Sequence, residues 1–242
     1  MTELLENNGV IVSMFNLEAT TLDAFSEWGE EQPRPFIVLS SQKASAVRSR
    51  FDAAHELAHM LLHRHVPKSV ANHNDSFKLM EDQAHRFAGA LLLPARQFCD
   101  SLFAPSLDAM KVMKQKWRVA ISAMIMRAGD LELINDGHRK KLFANMARRK
   151  WRTREPFDNE FVVERPAYLR RCTEVLLERG MIGPSDMTAQ TGIPLNDVEQ
   201  LLVLPAGRLG AALAGVDVIG DCSPHALDQG DQPDVIPFRR AQ

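Results

Sequence analysis

Arg50-Phe51-Asp52-Ala53-Ala54-His55-Glu56-Leu57-Ala58-His59 is the stretch on which the fold and the chemistry of this chain turn. It contains an H-E-x-x-H pattern, His55, Glu56 and His59. No Pro or Gly interrupts residues 43–63, and their Ala-rich spacing favours a continuous helix over that span. On a helix, residues four apart share a face, so both imidazoles can close on one metal ion; Glu56, one step round, can reach a water on the same ion. Phe51, Ala54, Leu57, Ala58, Leu61 and Leu62 follow the i, i+3, i+4 spacing of a buried face. Two imidazoles and a carboxylate in so apolar a helix are costly to bury without a partner, and a metal offsets that cost. Taken alone, the pattern leaves open that His55 and His59 are ordinary core or surface histidines and Glu56 a solvated helix residue, because short motifs also arise by chance.

A zinc site of the catalytic kind needs three protein ligands and one open position. Glu81 opens a second helical pattern that runs to Pro94, with Ala84, Phe87, Ala88, Leu91 and Leu92 as its core stripe. Glu81 lies three residues before Ala84 and so on the face turned to the first helix. A carboxylate there either binds a cation or sits favourably at a helix N-terminus. Joined to the upstream histidines, the ligand reading is the stronger one: His55, His59 and Glu81 around Zn2+, with Glu56 beside it.

The pattern Arg48-x-Arg50-Phe51-x-x-Ala54-His55-Glu56-x-x-His59-x-x-x-His63, followed by Glu81-x-x-Ala84-x-x-Phe87-Ala88 and Leu91-Leu92-Leu93-Pro94, closely resembles the ImmA/IrrE family of metallopeptidases. The resemblance extends over residues 9–205; the two motif blocks are highly specific and the remainder is a softer match. It implies a zincin-like, gluzincin-type zinc endopeptidase in which His55, His59 and Glu81 hold the metal and Glu56 is the general base. It also implies a protein substrate, a helix-turn-helix transcriptional repressor of the phage or xenobiotic-response type encoded nearby, whose cleavage derepresses genes in a stress, phage or mobile-element response. Relatives often carry an N-terminal DNA-binding domain, and this chain begins about where such a domain would end. A separate repressor partner and a shortened chain are therefore both expected possibilities, and direct DNA binding is the less expected role. The competing reading is a non-proteolytic regulatory binding module, or a toxin–antitoxin component, with a structural zinc.

In the catalytic reading, Glu56 takes a proton as water attacks a peptide carbonyl and passes it to the leaving amine. The developing oxyanion needs a further donor. Tyrosine often serves, but the single tyrosine, Tyr168, is far along the chain; His63, His73, Arg48 and Arg50 are nearer and stay unranked. His85, four residues after Glu81, can reach a zinc-binding histidine and orient it. For His63 and His85, plain packing or solvent exposure is an equal alternative.

A chain of 242 residues with 45% hydrophobic and 25% charged residues can bury a proper core in one large or two small domains. A formal net charge of −2 gives no general attraction to nucleic acid or membrane. No apolar run approaches the length of a membrane span and no signal-peptide pattern opens the chain. Cys99, Cys172 and Cys222 are odd in number and widely spaced, which favours reduced thiols and a cytoplasmic protein.

The expected fold class is α+β: a small N-terminal sheet from strands at residues 10–15, 24–28 and 35–40, packed on the H-E-x-x-H helix, then a mostly helical region. Residues 65–76 read as a polar loop lining the cleft. Helices are expected at residues 106–117, 120–131, 136–150, 166–180 and 185–204, and a disordered tail from residue 222. The division that follows is residues 1–130 as metallopeptidase domain, 131–221 as helical region and 222–242 as tail. Residues 139–154 hold eight cations (Arg139, Lys140, Lys141, Arg148, Arg149, Lys150, Arg152 and Arg154) and no acid; a solvated helix face is favoured over a phosphate-binding patch. Thr188, Gly192 and Val198 fall near helix-turn-helix spacing. A helical hairpin packed on the rest of the chain is favoured there, because Asp197 and Glu199 would put negative charge on a recognition helix.

Overall fold

The computed structural model describes residues 1–16, 23–29, 33–42, 45–71 and 73–216. A first helix, α1 (Thr2–Asn7), leads into strand β1 (Ile11–Phe15); β2 (Ala24–Trp28) and β3 (Pro35–Ser40) complete a sheet of order β1-β3-β2. β3 is central, parallel to β1 and antiparallel to β2. Its unbroken apolar run, Phe36 to Leu39, is what a strand covered on both faces requires, and Pro35 stands at the first position, where a missing N–H costs least. Val12, Ile37 and Leu39 pack with Leu5 against Ala53 and Met60 of the next helix.

That helix, α2 (Ala46–Leu62), carries the H-E-x-x-H residues and lies between two cores. Ala53 and Met60 face the sheet, while Ala54 joins Ala88, Leu92 and Phe98 in a larger helical core. The expected helix over residues 43–63 is trimmed: Ser45 is the N-cap and His63 the C-cap. The expected apolar face also ends early. Leu61 and Leu62 are 60% and 51% exposed, because the last turn runs past the elements that cover Ala54 and Ala58.

The expected loop at residues 65–76 is instead partly helical. It contains α3 (Lys68–Ala71) and the first residues of α4 (Asn74–Leu92). Glu81 therefore sits in the middle of α4, beyond the first turn to which helix-dipole stabilisation is confined. The N-terminal explanation for this carboxylate falls away.

After Pro94 come α5 (Ala95–Ser101), α6 (Leu107–Trp117), α7 (Ile121–Asp130) and α8 (Asp136–Arg148). The Ser106 hydroxyl accepts from the Ala109 N–H at 3.2 Å and the Asn135 side chain from His138 N–H at 2.8 Å, so α6 and α8 start at capped positions. Met110, Ile121, Met124, Ile125, Leu142 and Met146 fill the same core as Phe98. Lys114 of α6 is fully buried between Glu155 at 2.7 Å and Asp158 at 2.6 Å. Glu155 also accepts from the Ile121 and Ser122 N–H groups at the start of α7, and Asp158 from the hydroxyl of Ser45 at the start of α2.

The remaining helices are α9 (Tyr168–Glu178), α10 (Pro184–Thr191), α11 (Leu195–Leu201) and α12 (Arg208–Val216). Gly192 ends α10 in the left-handed region, φ +66°, and Met187, Val198, Leu204 and Leu209 close a third, small core. Residues 184–201 thus form a helical hairpin, and the Ser13 hydroxyl of β1 donates to the Leu201 carbonyl at 2.5 Å. Glu199 does not place charge on the surface: it is 3% exposed and accepts from Gly207 and Leu209 N–H at 2.7 and 2.6 Å, leading into α12.

In the basic stretch Arg149 pairs with Asp108 and Arg139 with Asp136. Lys140, Lys141, Arg148, Lys150, Arg152 and Arg154 are exposed. Cys99 and Cys172 are free thiols. The expected tail from residue 222, with Cys222, lies outside the described residues. Among the described residues, no helix is long and apolar enough to cross a membrane.

Candidate metal centre

α2 and α4 pack face to face through Ala54, Ala84 and Ala88, all fully buried, and these small residues let the two helices approach closely. That approach brings Glu81 over the i, i+4 histidine pair. His55 Nε2 and His59 Nε2 are 3.0 Å apart, and the two Glu81 oxygens stand 3.2 Å from His59 Nε2 and 3.4 Å from His55 Nε2. A tetrahedral zinc with ligand bonds of about 2.0–2.1 Å has ligand–ligand edges of about 3.3 Å. The imidazole pair stands close to such an edge and each carboxylate oxygen lies at about that distance from one of the rings, so two imidazoles and a carboxylate fit the metal that this residue set implies.

The electrostatics agree with that fit. Burial, with the neighbouring His59, His85 and His63 adding to it, pushes the His55 pKa down to about 3. Burial likewise lowers that of His59, against the opposing pull of Glu81. Both rings are thus kept neutral, the state in which an imidazole nitrogen can offer its lone pair to a metal.

Glu56 points into the same cleft, of about 800 Å³, which β2 walls on one side with Phe25, Ser26 and Trp28 and α3 and α4 on the other with Ala71, Phe77 and Met80. Burial raises the Glu56 pKa, and the Ser26 hydroxyl, donating to Oε2 at 2.6 Å, opposes that rise. Ser26 was not found in the sequence, where nothing marks a serine on a short strand as the partner of a residue thirty positions on. Replacing it with Ala removes a donor to the charged carboxylate, so the Glu56 pKa climbs further. The acid limb of the pH–rate profile is then expected to move to higher pH, with kcat/KM falling up to roughly tenfold below neutrality, since a hydrogen bond to a charged group is worth about 1.5 kcal/mol or more. An unmoved acid limb would remove Ser26 from the machinery.

Of the proposed oxyanion donors, only His63 lines the cleft. The Arg50 guanidinium is held by Glu164 at 3.1 Å and by the Arg118 carbonyl at 3.2 Å. Arg48 donates to the carbonyls of Arg152 and Thr153 at 2.9 and 3.0 Å. His73 is the N-cap of α4, and Tyr168 opens α9, away from the cleft lining. His85 does lie against a candidate ligand: its ring meets that of His55 edge-on at 4.6 Å, and its Nδ1 donates to the Glu81 carbonyl at 2.7 Å. One further cation, Arg64, faces the cleft from above the Trp28 ring at 3.8 Å.

A family model described as the IrrE N-terminal-like domain, Peptidase_M78, matches residues 5–128. Among solved structures, a Mycobacterium tuberculosis transcriptional regulator is similar at 18% identity and a TM-score of 0.39, over 52% of this chain and 38% of that one. This chain thus spans well under half the length of that protein. No curated protein matches the chain.

Proposed function

Because the chain belongs to the Peptidase_M78, IrrE N-terminal-like family, we propose that it is a zinc-dependent endopeptidase whose substrate is a helix-turn-helix transcriptional repressor encoded nearby, cleaved in the cytoplasm to derepress genes. The observation that carries the reading is the set of two imidazoles and a carboxylate whose ligand atoms lie within 4.8 Å of one another, with a half-buried carboxylate in the same cleft. His55, His59 and Glu81 would hold the metal. When bound, zinc supplies a Lewis acid that polarises the scissile carbonyl and acidifies water. Glu56 is the proton carrier: Ser26 occupies its Oε2, which leaves Oε1 to take the proton of the attacking water and return it to the leaving amine. β2 is an edge strand on the cleft wall, so an extended substrate segment gains backbone hydrogen bonds by pairing along it. In this reading residues 1–130 form the peptidase unit, and the helical region 131–221 completes its core through α8 and braces β1 through α11.

Purified protein is expected to carry about one zinc per chain, and His55→Ala, His59→Ala or Glu81→Ala to lose it. Incubation with the repressor of the adjacent gene, followed by mass spectrometry, should give a single cut that a chelator stops and added zinc restores. Cleavage that runs at full rate in chelator would overturn the metal-dependent reading.

A further inference from the structure

Behind the cleft face of His59 lies a hydrogen-bonded pair that the proposed mechanism does not use. His63, the buried C-cap of α2, has its Nδ1 2.9 Å from His59 Nδ1. Its other nitrogen, Nε2, is 2.9 Å from Gln83 Oε1 on α4, two residues after Glu81. The two rings are tilted by 53° with centroids 5.0 Å apart, and so are not stacked.

The proton count along this chain has only two solutions. If His59 Nε2 offers its lone pair to a metal, the ring proton sits on Nδ1 and points at His63 Nδ1, which must accept it. His63 then carries its own proton on Nε2 and donates to an oxygen, and Gln83 Oε1 is the oxygen placed there. In the opposite register His59 carries its proton on Nε2, aimed at Glu81, and has no lone pair for the metal; His63 Nε2 becomes an acceptor and needs a donor at position 83. The Gln83 side-chain oxygen at His63 Nε2 matches the first arrangement, and turning that amide over would match the second, so residue 83 is the place where the register is set.

We propose that His63, braced by Gln83, is a positioning residue that holds the His59 imidazole in its metal-binding tautomer and orientation. The inference rests on the zinc reading above. It gives His63 a role other than the oxyanion donor the sequence suggested: both of its nitrogens are engaged away from a substrate carbonyl. It also ties the two ligand-bearing helices together behind the metal, so that α4 contributes Glu81 in front and Gln83 behind. Partners of this kind fix ring orientation and raise ligand basicity, and their loss typically costs 10- to 100-fold in metal affinity.

The test is zinc affinity by chelator competition, together with the 15N imidazole shifts of His59 in metal-free protein. His63→Phe fills the space without an acceptor and should weaken zinc binding 10- to 100-fold with an unchanged far-UV spectrum. Gln83→Glu presents only acceptors and should shift His59 towards the Nδ1-protonated tautomer. Gln83→Lys presents only donors and should shift it the other way. Because residue 83 is exposed, high salt screens the added charge while the tautomer shift persists. His63→Gln, which can accept through its side-chain oxygen, should recover part of the affinity lost in His63→Phe. Wild-type protein that binds no zinc would sink the proposed function. Wild-type protein that binds zinc, with His63→Phe binding it equally and no tautomer shift in either Gln83 variant, would sink this inference alone. A folded His63→Phe that loses affinity without any tautomer shift would likewise reduce His63 to packing and overturn it.

Discussion

Glu56→Gln is expected to keep its zinc and to lose about 10²- to 10⁴-fold in cleavage of the repressor, the range that a positioned general base contributes. Glutamine has the volume of glutamate and still offers an oxygen to the Ser26 hydroxyl, so the wall of the cleft is undisturbed. It cannot take up a proton. Burial has already raised the Glu56 pKa towards the range where a base works best, and that rise is a cost to the fold. A carboxyl group whose folded pKa lies above its unfolded value binds more protons folded than unfolded, so its contribution to stability falls as pH rises through that window. Glutamine carries no such penalty. The metal-free variant is therefore expected to melt at or above the wild-type temperature at neutral pH, with the gap closing in acid. Activity lost while stability is kept or gained is the signature of a group retained for chemistry. If Glu56→Gln cleaved at the wild-type rate, the non-proteolytic binding module would become the better account.

The centre itself was legible because a helix fixes which residues share a face. The spacing of His55 and His59 needs no tertiary information, and Glu81 was found from the Ala84, Phe87, Ala88 stripe beside it. The start of α4 was not legible. Its first turns lie along the open cleft, Phe77 is 57% exposed, and no buried stripe distinguishes them from a loop containing Pro67 and Asn74. The exposure of Leu61 and Leu62 has the mirror-image cause: the apolar pattern continues one turn beyond anything that covers it. Ser26, Gln83 and the engagement of Arg48 and Arg50 depend on registers between elements far apart in sequence. Lys114 is an intermediate case. It falls on the Leu107, Met110, Trp117 stripe of its own helix, so its place in the core could be read, but carboxylates 41 and 44 positions later could not.

Lys114→Met is expected to cost about 3–5 kcal/mol in unfolding free energy, the price of leaving buried charge without its counter-ion. Lys114 is 0% exposed, and removing its ammonium leaves Glu155 and Asp158, 4% and 6% exposed, facing each other without a cation. Methionine nearly matches the aliphatic stem in volume, so cavity formation adds little, and the loss is electrostatic. The backbone donors that remain, from Ile121, Ser122 and Glu155 itself, satisfy some oxygens but carry no full charge. Adding Asp158→Asn to Lys114→Met should therefore recover part of the loss, because the amide removes one buried charge and keeps an oxygen for the Glu155 N–H. Glu155→Gln is the poorer choice, since both Glu155 oxygens accept from backbone N–H groups and an amide has only one oxygen. Among the described residues the triad does not touch the metal centre, and its hydrogen bond to α2 runs through Ser45, at the end of the helix remote from His59. Zinc at a hundred times its dissociation constant should raise wild type and variant alike by about 2.7 kcal/mol, leaving the difference between them unchanged. Urea melts of both proteins, metal-free and zinc-loaded, give all four numbers. A loss below about 1 kcal/mol would mean that water reaches the carboxylates once the lysine is gone, and the triad would then not be the clamp that sets the start of α2 against α6 and α7.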